Sequence, residues 1–248
     1  MFNPHPKALL PKYPGTNCDV ETAQALEAVG FQTEIVPISQ LTPAHFVGVA
    51  LVVFSGGFSY GDYVMAGRMA QLITQQKLQG ALEYYVANGG HVLGICNGFQ
   101  ILTKLGLLPA GSLIDNTSGR FMCRWVKMKI HASESPFLSE LDPEMELELP
   151  VAHAEGRFVA AEGLAEQYLA EGRVTLTYTG DVNGSSLNIA GLQDATGRVF
   201  GLMPHPERFT EKLHHYDPDW RGDPAHGLGY YLFKSIWLEC SGSRQLIA

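Results

Sequence analysis

The chain has 248 residues, of which 46% are hydrophobic and 17% charged, and its formal net charge is −8. This length and composition suit a single α/β domain over residues 1–248 whose core needs no disulfides. The acidic charge argues against a nucleic-acid partner, and no apolar run approaches the roughly 20 residues that span a bilayer. The four cysteines are widely separated and the first residues lack the apolar centre of a signal peptide, so a cytoplasmic location is expected.

The first hundred residues are predicted to alternate between strands and helices. The apolar run at 49–55 is continuous, as in a parallel strand that is buried on both faces. Gly30 is expected to stop the helix that Asp19 caps, and Gly80 to interrupt the next helix. The predicted strands are 8–13, 31–36, 49–55 and 91–95, and the predicted helices are 19–29, 68–88 and 97–106.

The second half of the chain has a different pattern. In residues 121–130 apolar side chains alternate with lysines, which indicates an antiparallel strand with one solvent-exposed face. Further strands are predicted at 174–178, 189–192 and 199–203, and a last helix at 228–239. The predicted fold class is therefore α/β, with a mostly parallel central sheet, helices on both faces and an antiparallel extension.

Residues 94–100, GICNGFQ, follow an apolar run and predict a strand that turns sharply into a helix at Cys96. This is the nucleophile-elbow arrangement with a thiol in place of a hydroxyl. Side chains at Gly94 or Gly98 would crowd the closely packed strand and helix. The helix N-terminus behind Cys96 favours its thiolate form, so Cys96 is the predicted nucleophile.

A second reactive segment follows the last predicted strand and contains His205 and Glu207. His205 would take the proton of the Cys96 thiol and return it to the leaving group, while Glu207 would orient the imidazole. Because the two residues lie two apart on an extended segment, their side chains would face the same side. Backbone N–H groups of Asn97 and of Gly57 or its neighbour would stabilise the oxyanion.

Other polar segments have simpler interpretations. Cys18 also follows a strand and precedes a helix, which makes it a rival nucleophile, but it lacks flanking glycines on both sides. The histidines and aspartates at 214–219 match no zinc or calcium spacing and indicate a solvated loop, so no metal site is expected. The glycine-rich residues 56–61 match neither a phosphate-binding loop nor a dinucleotide fingerprint.

Taken together, the 94–100 elbow and the segment 205–207 resemble the class I, or triad, glutamine amidotransferases. Four further segments are similar to the glutaminase subunits of phosphoribosylformylglycinamidine synthase, and they are 14–19, 56–63, 153–158 and 201–208. The resemblance implies a flavodoxin-like fold, hydrolysis of glutamine through a cysteine thioester, and transfer of ammonia to an ATP-dependent synthetase subunit in purine biosynthesis. It leaves open whether a small third subunit bridges the two.

The resemblance also implies a set of site residues. Cys96 would carry the glutamyl thioester, and the wider segment 153–158 would line the glutamine pocket or face the partner subunit. No metal or cofactor is implied in this chain, whereas the partner would use ATP and Mg. The implied residues are Cys96, His205 and Glu207 for catalysis, Gly57 and Asn97 for the oxyanion hole, and Gln100, Gly156 and Arg157 for glutamine binding.

Some positions depart from the family pattern, and other functions remain open. Ser55 stands where the family usually has proline, Ala154 where glycine is common, and Pro11 interrupts the first strand. None of the three touches the triad. The alternatives are an amidotransferase that serves GMP, CTP or anthranilate synthesis, a thiol hydrolase or peptidase on a related fold, and a non-enzymatic flavodoxin-like binding subunit.

Overall fold

A computed structural model of the chain describes residues 2–62, 67–78, 80–131 and 134–243. Tyr63, the last residue of the 56–63 motif, lies outside these ranges. The strands are β1 (Lys7–Lys12), β2 (Gln32–Pro37), β3 (Val49–Phe54), β4 (His91–Ile95), β5 (Ser112–Ile114), β6 (Met122–Ile130), β7 (Leu147–His153), β8 (Arg157–Val159), β9 (Val174–Tyr178), β10 (Ile189–Gln193) and β11 (Val199–Leu202). The helices are α1 (Asp19–Val29), α2 (Arg68–Leu78), α3 (Ala81–Ala87), α4 (Asn97–Lys104), α5 (Leu164–Ala170) and α6 (Leu228–Ser241).

One nine-stranded sheet organises the fold, in the order β2-β1-β3-β4-β11-β10-β9-β6-β7. The strands from β2 to β11 pair in parallel, and β10, β9, β6 and β7 extend the sheet in antiparallel fashion. Helix α1 packs with α6, and α2 packs with α4. The predicted fold class is confirmed. No helix among the described residues combines the length and apolar character needed to cross a membrane.

Most predicted elements are confirmed, with ends that differ by one or two residues. Gly80 has a φ of +88° and separates α2 from α3, as predicted. The patterns do not predict β5, β7, β8 or α5. Strands β5 and β8 have only 3 residues each, which is too short for a period to show. Strand β7 contains Pro150, which argues against a strand in the sequence alone.

Two details at the first strand and helix correct or explain the sequence-based expectations. Cys18, and not Asp19, is the N-cap of α1, and no side chain caps the helix. Asp19 instead accepts a hydrogen bond of 2.6 Å from Lys12 Nζ. Pro11 pairs in register with Val36 of β2, whereas pairing with β3 ends at Leu9, so a missing N–H is tolerated on the β3 side.

The centre of the sheet brings three strand ends together. Phe54 of β3 is the register partner of Gly94, and Leu202 of β11 is the partner of Ile95. Because these three strands run parallel, the segments that follow them leave the sheet along one edge. Gly57, Cys96 and His205 are in those segments, so the predicted site residues meet beyond the carboxyl ends of the central strands.

Candidate active site

Cys96 lies at a strained turn between β4 and α4, as the sequence predicts. Its φ is 51° and its ψ is −104°, a conformation that non-glycine residues rarely adopt. The backbone N–H of Cys96 donates to Leu202 O at 2.8 Å, which fixes the turn to the neighbouring strand. A Cβ at Gly98 would lie 1.8 Å from Phe54 O, so only glycine allows α4 to approach β3 this closely.

His205 and Glu207 form a buried pair beside this turn. His205 Nδ1 and Glu207 Oε1 are 2.6 Å apart, and both side chains are almost fully buried. The expected extended segment is wrong in detail, because residues Pro206–Arg208 form a 3-10 turn. The backbone N–H of His205 donates to Pro150 O at 2.8 Å, which anchors this turn to β7. The carboxylate thus holds the imidazole by Nδ1, as a triad acid does.

The protonation of His205 is set by competing effects. Burial by itself lowers the pKa of His205, but the Glu207 carboxylate and the Cys96 thiol outweigh it and raise that pKa well above its usual value. Among the described residues, Nε2 of His205 has no hydrogen-bond partner. An imidazolium next to a cysteine sulfur is the arrangement that supports nucleophilic attack by that sulfur.

A small cavity of about 150 Å³ lies in front of Cys96 and His205. Arg208 lines it but has no role assigned from the sequence, while the thiols of Cys18 and Cys96 both border it. The presence of two thiols beside one imidazole is the main surprise of the site. The lining residues are Asn17, Cys18, Gly57, Phe58, Cys96, Phe121, Ala152, His205 and Arg208.

Of the two predicted oxyanion-hole residues, Gly57 lines this cavity and Asn97 directly follows Cys96, which also lines it. Asn97 is the first residue of α4, so its backbone N–H has no acceptor within the helix. Gly57 has a φ of +140°, and a Cβ there would lie 2.7 Å from the backbone nitrogen of Asn17. The side chain of Asn97 accepts a 3.3 Å hydrogen bond from Ser59 N, which ties the glycine loop to the elbow. The positions suit oxyanion stabilisation, which stays a prediction.

The predicted glutamine-binding residues have partners within the protein. Gln100 Nε2 donates to Glu155 O at 2.6 Å, and Gln100 Oε1 accepts from Asn97 at 2.8 Å. Gly156 accepts a 2.8 Å hydrogen bond from Asn183, and Arg157 Nε donates to Gly184 O at 3.0 Å. None of Gln100, Gly156 and Arg157 lines the 150 Å³ cavity. In this structure their hydrogen bonds join segments of the protein to one another, and their contact with glutamine stays a prediction.

Cys18, the rival nucleophile, lies in the same site but is held differently from Cys96. Its backbone is relaxed, with a φ of −96°, and its Sγ accepts a hydrogen bond of 3.2 Å from Arg208 Nη2. Arg208 also donates to Glu21 Oε1 at 3.1 Å. Burial raises the pKa of the Cys18 thiol. An unstrained, hydrogen-bonded sulfur of raised pKa is a poorer nucleophile at neutral pH, which leaves Cys96 as the better candidate.

Two residues near Cys96, Ala152 and Tyr178, are absent from the sequence-based prediction, whereas the neighbouring His153 begins the predicted segment 153–158. Cys96 Sγ lies 3.7 Å from Ala152 O. The next residue, His153, is buried, and burial together with the charge of His205 lowers the pKa of His153 to about 4. Burial and the nearby Cys96 raise the pKa of Tyr178. Ala152 and Tyr178 are on β7 and β9, and no sequence motif includes either residue.

The segment 214–219 is also only partly as expected. His215 is buried, and its ring packs 4.8 Å from the Trp125 ring and 5.4 Å from the Trp220 ring, measured between centroids. The expectation of a solvated loop is therefore wrong for His215. Trp220 is only five residues further along the chain, but Trp125 is on the distant strand β6, so no local pattern shows the complete aromatic cluster.

The fold and the site define a class I glutamine amidotransferase, with a cysteine elbow and a buried His–Glu pair. In agreement, the profile of the CobB/CobQ-like glutamine amidotransferase domain family matches residues 5–236. The chain belongs to this family and, within it, to the phosphoribosylformylglycinamidine synthase subunit PurQ family.

The similarity to PurQ extends over most of the chain. The chain is 38% identical over 208 residues to the PurQ subunit of Thermotoga maritima, and the match covers 84% of this chain and 90% of the relative. The chain is 42% identical over 219 residues to the PurQ subunit of Mycobacterium leprae, and the match covers 88% of this chain and 92% of the relative. A chain in the structure of PurLQS from Thermotoga maritima superimposes with a TM-score of 0.78 at 36% identity. The superposition covers 94% of this chain and 97% of that chain. A putative GMP synthase subunit from Thermoplasma acidophilum, at 16% identity and a TM-score of 0.62, shares the fold alone.

Proposed function

We propose that this chain is the glutaminase subunit of phosphoribosylformylglycinamidine synthase, which releases ammonia from glutamine for an ATP-dependent synthetase subunit in purine biosynthesis. The observation that carries the chemistry is the His205–Glu207 pair beside the strained Cys96. The choice of acceptor rests on the PurQ relatives, which match at 38% and 42% identity, against 16% for the GMP synthase subunit.

The first half of the reaction forms the thioester. His205 holds the proton of the Cys96 thiol, and the thiolate attacks the carboxamide carbon of glutamine. The carboxamide oxygen becomes an oxyanion, which accepts hydrogen bonds from backbone N–H groups at Asn97 and Gly57. His205 then gives its proton to the leaving nitrogen, and ammonia departs.

The second half of the reaction returns the enzyme to its starting state. Water loses a proton to His205 and attacks the glutamyl thioester, and glutamate leaves as the Cys96 sulfur is released. Glu207 keeps the imidazole in one orientation and stabilises its charged form in both halves. Free ammonia is protonated in bulk water and loses its nucleophilicity, so the proposal includes its transfer inside a complex with the synthetase.

The proposal extends to the setting of the chain. Residues 1–248 form one amidotransferase domain that binds no cofactor, while the synthetase subunit binds ATP and Mg, and a small bridging subunit completes the complex. A cytoplasmic location agrees with the four free cysteines among the described residues. Weak glutaminase activity of the isolated chain is expected until the partner orders the site.

The test is reconstitution with the synthetase subunit in the presence of its substrates, with either glutamine or ammonia as nitrogen source. Cys96→Ala should abolish glutamine-dependent synthesis and leave ammonia-dependent synthesis intact, because only the thioester step needs the thiol. Cys123→Ser is the matched control, since Cys123 is an exposed free cysteine. Glutamine-dependent synthesis that survives Cys96→Ala would refute the nucleophile, and activation only by a GMP or CTP synthetase would refute the acceptor.

A further inference from the structure

A thiol, an imidazole and a carboxylate meet at the edge of the active site. One ligand atom each from Cys18, His205 and Glu207 lies within 4.8 Å of both others. All three residues are buried. Cys18 comes from the β1–α1 turn, whereas the other two come from the segment after β11, so the tertiary fold alone creates this cluster.

The cluster contains an oxygen that the protein leaves unsatisfied. Among the described residues, Glu207 Oε2 is buried and has no hydrogen-bond partner. A carboxylate oxygen removed from water without a donor is costly, and a cation is one way to satisfy it. Cys18 Sγ is the third vertex, and it makes hydrogen bonds to Arg208 at 3.2 Å and to Asn17 at 3.5 Å.

The three atoms are the ligand types that zinc prefers. Thiolate, imidazole and carboxylate bind Zn²⁺ at about 2.0–2.3 Å, which places tetrahedral ligands about 3.3–3.6 Å apart. Atoms within 4.8 Å reach that spacing by small side-chain adjustments. The histidine ligand must be Nδ1, because Glu207 already lies 2.6 Å from it and a single ion cannot span the ring. The adjacent cavity of about 150 Å³ leaves room for water as a fourth ligand.

We propose that Cys18, His205 and Glu207 bind Zn²⁺ or a similar borderline-soft divalent cation, which acts as a reversible inhibitor and not as a cofactor. The cation takes the place of the proton that His205 Nδ1 shares with Glu207. The Cys18 thiol gives its proton to water, and the proton on Nε2 can leave only if the cation-bound ring becomes an anion, so His205 no longer passes a proton between the Cys96 sulfur and the leaving nitrogen. Binding depends only on the geometry, whereas the inhibitory consequence rests on the proposed glutaminase function.

The experiment measures cation binding to the full chain independently of activity. Metal-free protein with Cys123→Ser, which removes the exposed thiol, is titrated with Co²⁺ and then with Zn²⁺. One Co²⁺ per chain with a thiolate-to-cobalt charge-transfer absorption and an intense tetrahedral visible spectrum is expected, and Zn²⁺ should remove both. Adding Cys96→Ala should preserve the absorption, while adding Cys18→Ser should abolish it and weaken Co²⁺ binding at least about tenfold.

Each other result decides against the proposal. It is overturned if no Co²⁺ binds, if the absorption survives Cys18→Ser, or if it disappears with Cys96→Ala. Circular dichroism verifies that the Cys18 variant folds, and if it does not, the Cys96→Ala spectrum alone decides. In the activity arm, Zn²⁺ should inhibit glutamine hydrolysis by the reconstituted complex, with the half-inhibiting concentration at least about tenfold higher for Cys18→Ser. A metal-free complex that lacks glutaminase activity but binds Co²⁺ as expected would refute the proposed function only.

Discussion

Two strand-to-helix turns, each with a cysteine, approach the same imidazole in this protein. The β4–α4 turn holds Cys96 at a φ of 51° and keeps glycine two residues later, whereas the β1–α1 turn holds Cys18 at −96° and has Val20 there. Cys18 Sγ accepts a hydrogen bond from Arg208, while Cys96 Sγ has a longer contact of 3.7 Å with Ala152 O. The comparison teaches that backbone strain and the partners of the sulfur, rather than proximity to histidine, distinguish a nucleophile from its neighbour.

The largest expected effect separates the two cysteines directly. Cys96→Ala should lower kcat for glutamine hydrolysis roughly 10⁴-fold or more, because it removes the nucleophile of a coupled triad. Cys18→Ala should stay within about tenfold of the wild type, since it removes a neighbour of the imidazole only. Steady-state release of glutamate and ammonia by the reconstituted complex measures both. The reverse ranking would make Cys18 the nucleophile.

The carboxylates behind the two thiols offer a second contrast. Glu207→Gln should lower kcat/KM by about 10²–10⁴-fold, because the imidazole loses the group that orients it and stabilises its charge. Since Glu207 raises the pKa of His205 while burial lowers it, the basic limb of the pH profile of kcat/KM should move to lower pH. Glu21→Gln, which alters only the partner of Arg208, is the matched control. A basic limb that does not move would contradict the assigned role of Glu207.

The glycine of the elbow should matter more for stability than its counterpart in the other turn. Gly98→Ala places a Cβ 1.8 Å from Phe54 O and should lower the free energy of unfolding by about 3 kcal/mol. The corresponding change Val20→Ala is at a residue with 54% of its surface exposed and should cost no more than about 0.5 kcal/mol. Chemical denaturation at neutral pH measures both. Equal costs would show that α4 does not need its close approach to β3.

The smallest effect concerns His153, behind the Cys96 turn. Its pKa of about 4, against 6.5 for an unperturbed histidine, means that the unfolded chain binds the extra proton first as the pH falls. Stability from this group is present above pH 6.5 and is lost as the pH falls toward 4, by about 2 kcal/mol between pH 7 and 5.

Comparison with a variant isolates that contribution. His153→Gln should remove it, so the free energy of unfolding of the variant should fall less steeply between pH 7 and 5 than that of the wild type. His214→Gln, at an exposed position, should keep the slope of the wild type. Urea denaturation at both pH values measures the slopes. An unchanged slope in His153→Gln would mean that His153 is protonated in the folded protein at pH 5.

Elements with a strong local pattern could be predicted, and elements defined by distant partners could not. Strands β4 and β9 have the predicted bounds, because β4 is mostly apolar and β9 alternates apolar residues with threonines at the period of a strand. Strand β7 interrupts its pattern with Pro150 and exists through its pairing with β6. The segment around Glu207 was wrongly expected to be extended. Pro206 starts a 3-10 turn there, and the turn is anchored by the hydrogen bond from His205 N to Pro150 O on the distant strand β7.

The sequence by itself determined the elbow at Cys96 and the pairing of His205 with Glu207, because glycine spacing and near neighbours in the chain dictate local geometry. The tertiary structure alone decided that Cys18 and Arg208 line the same cavity and that Ala152 and Tyr178 lie near Cys96. It also decided that Gln100 and Arg157 are hydrogen-bonded to Glu155 and Gly184. Those contacts join segments far apart in the chain, and their distances depend on how the whole sheet packs.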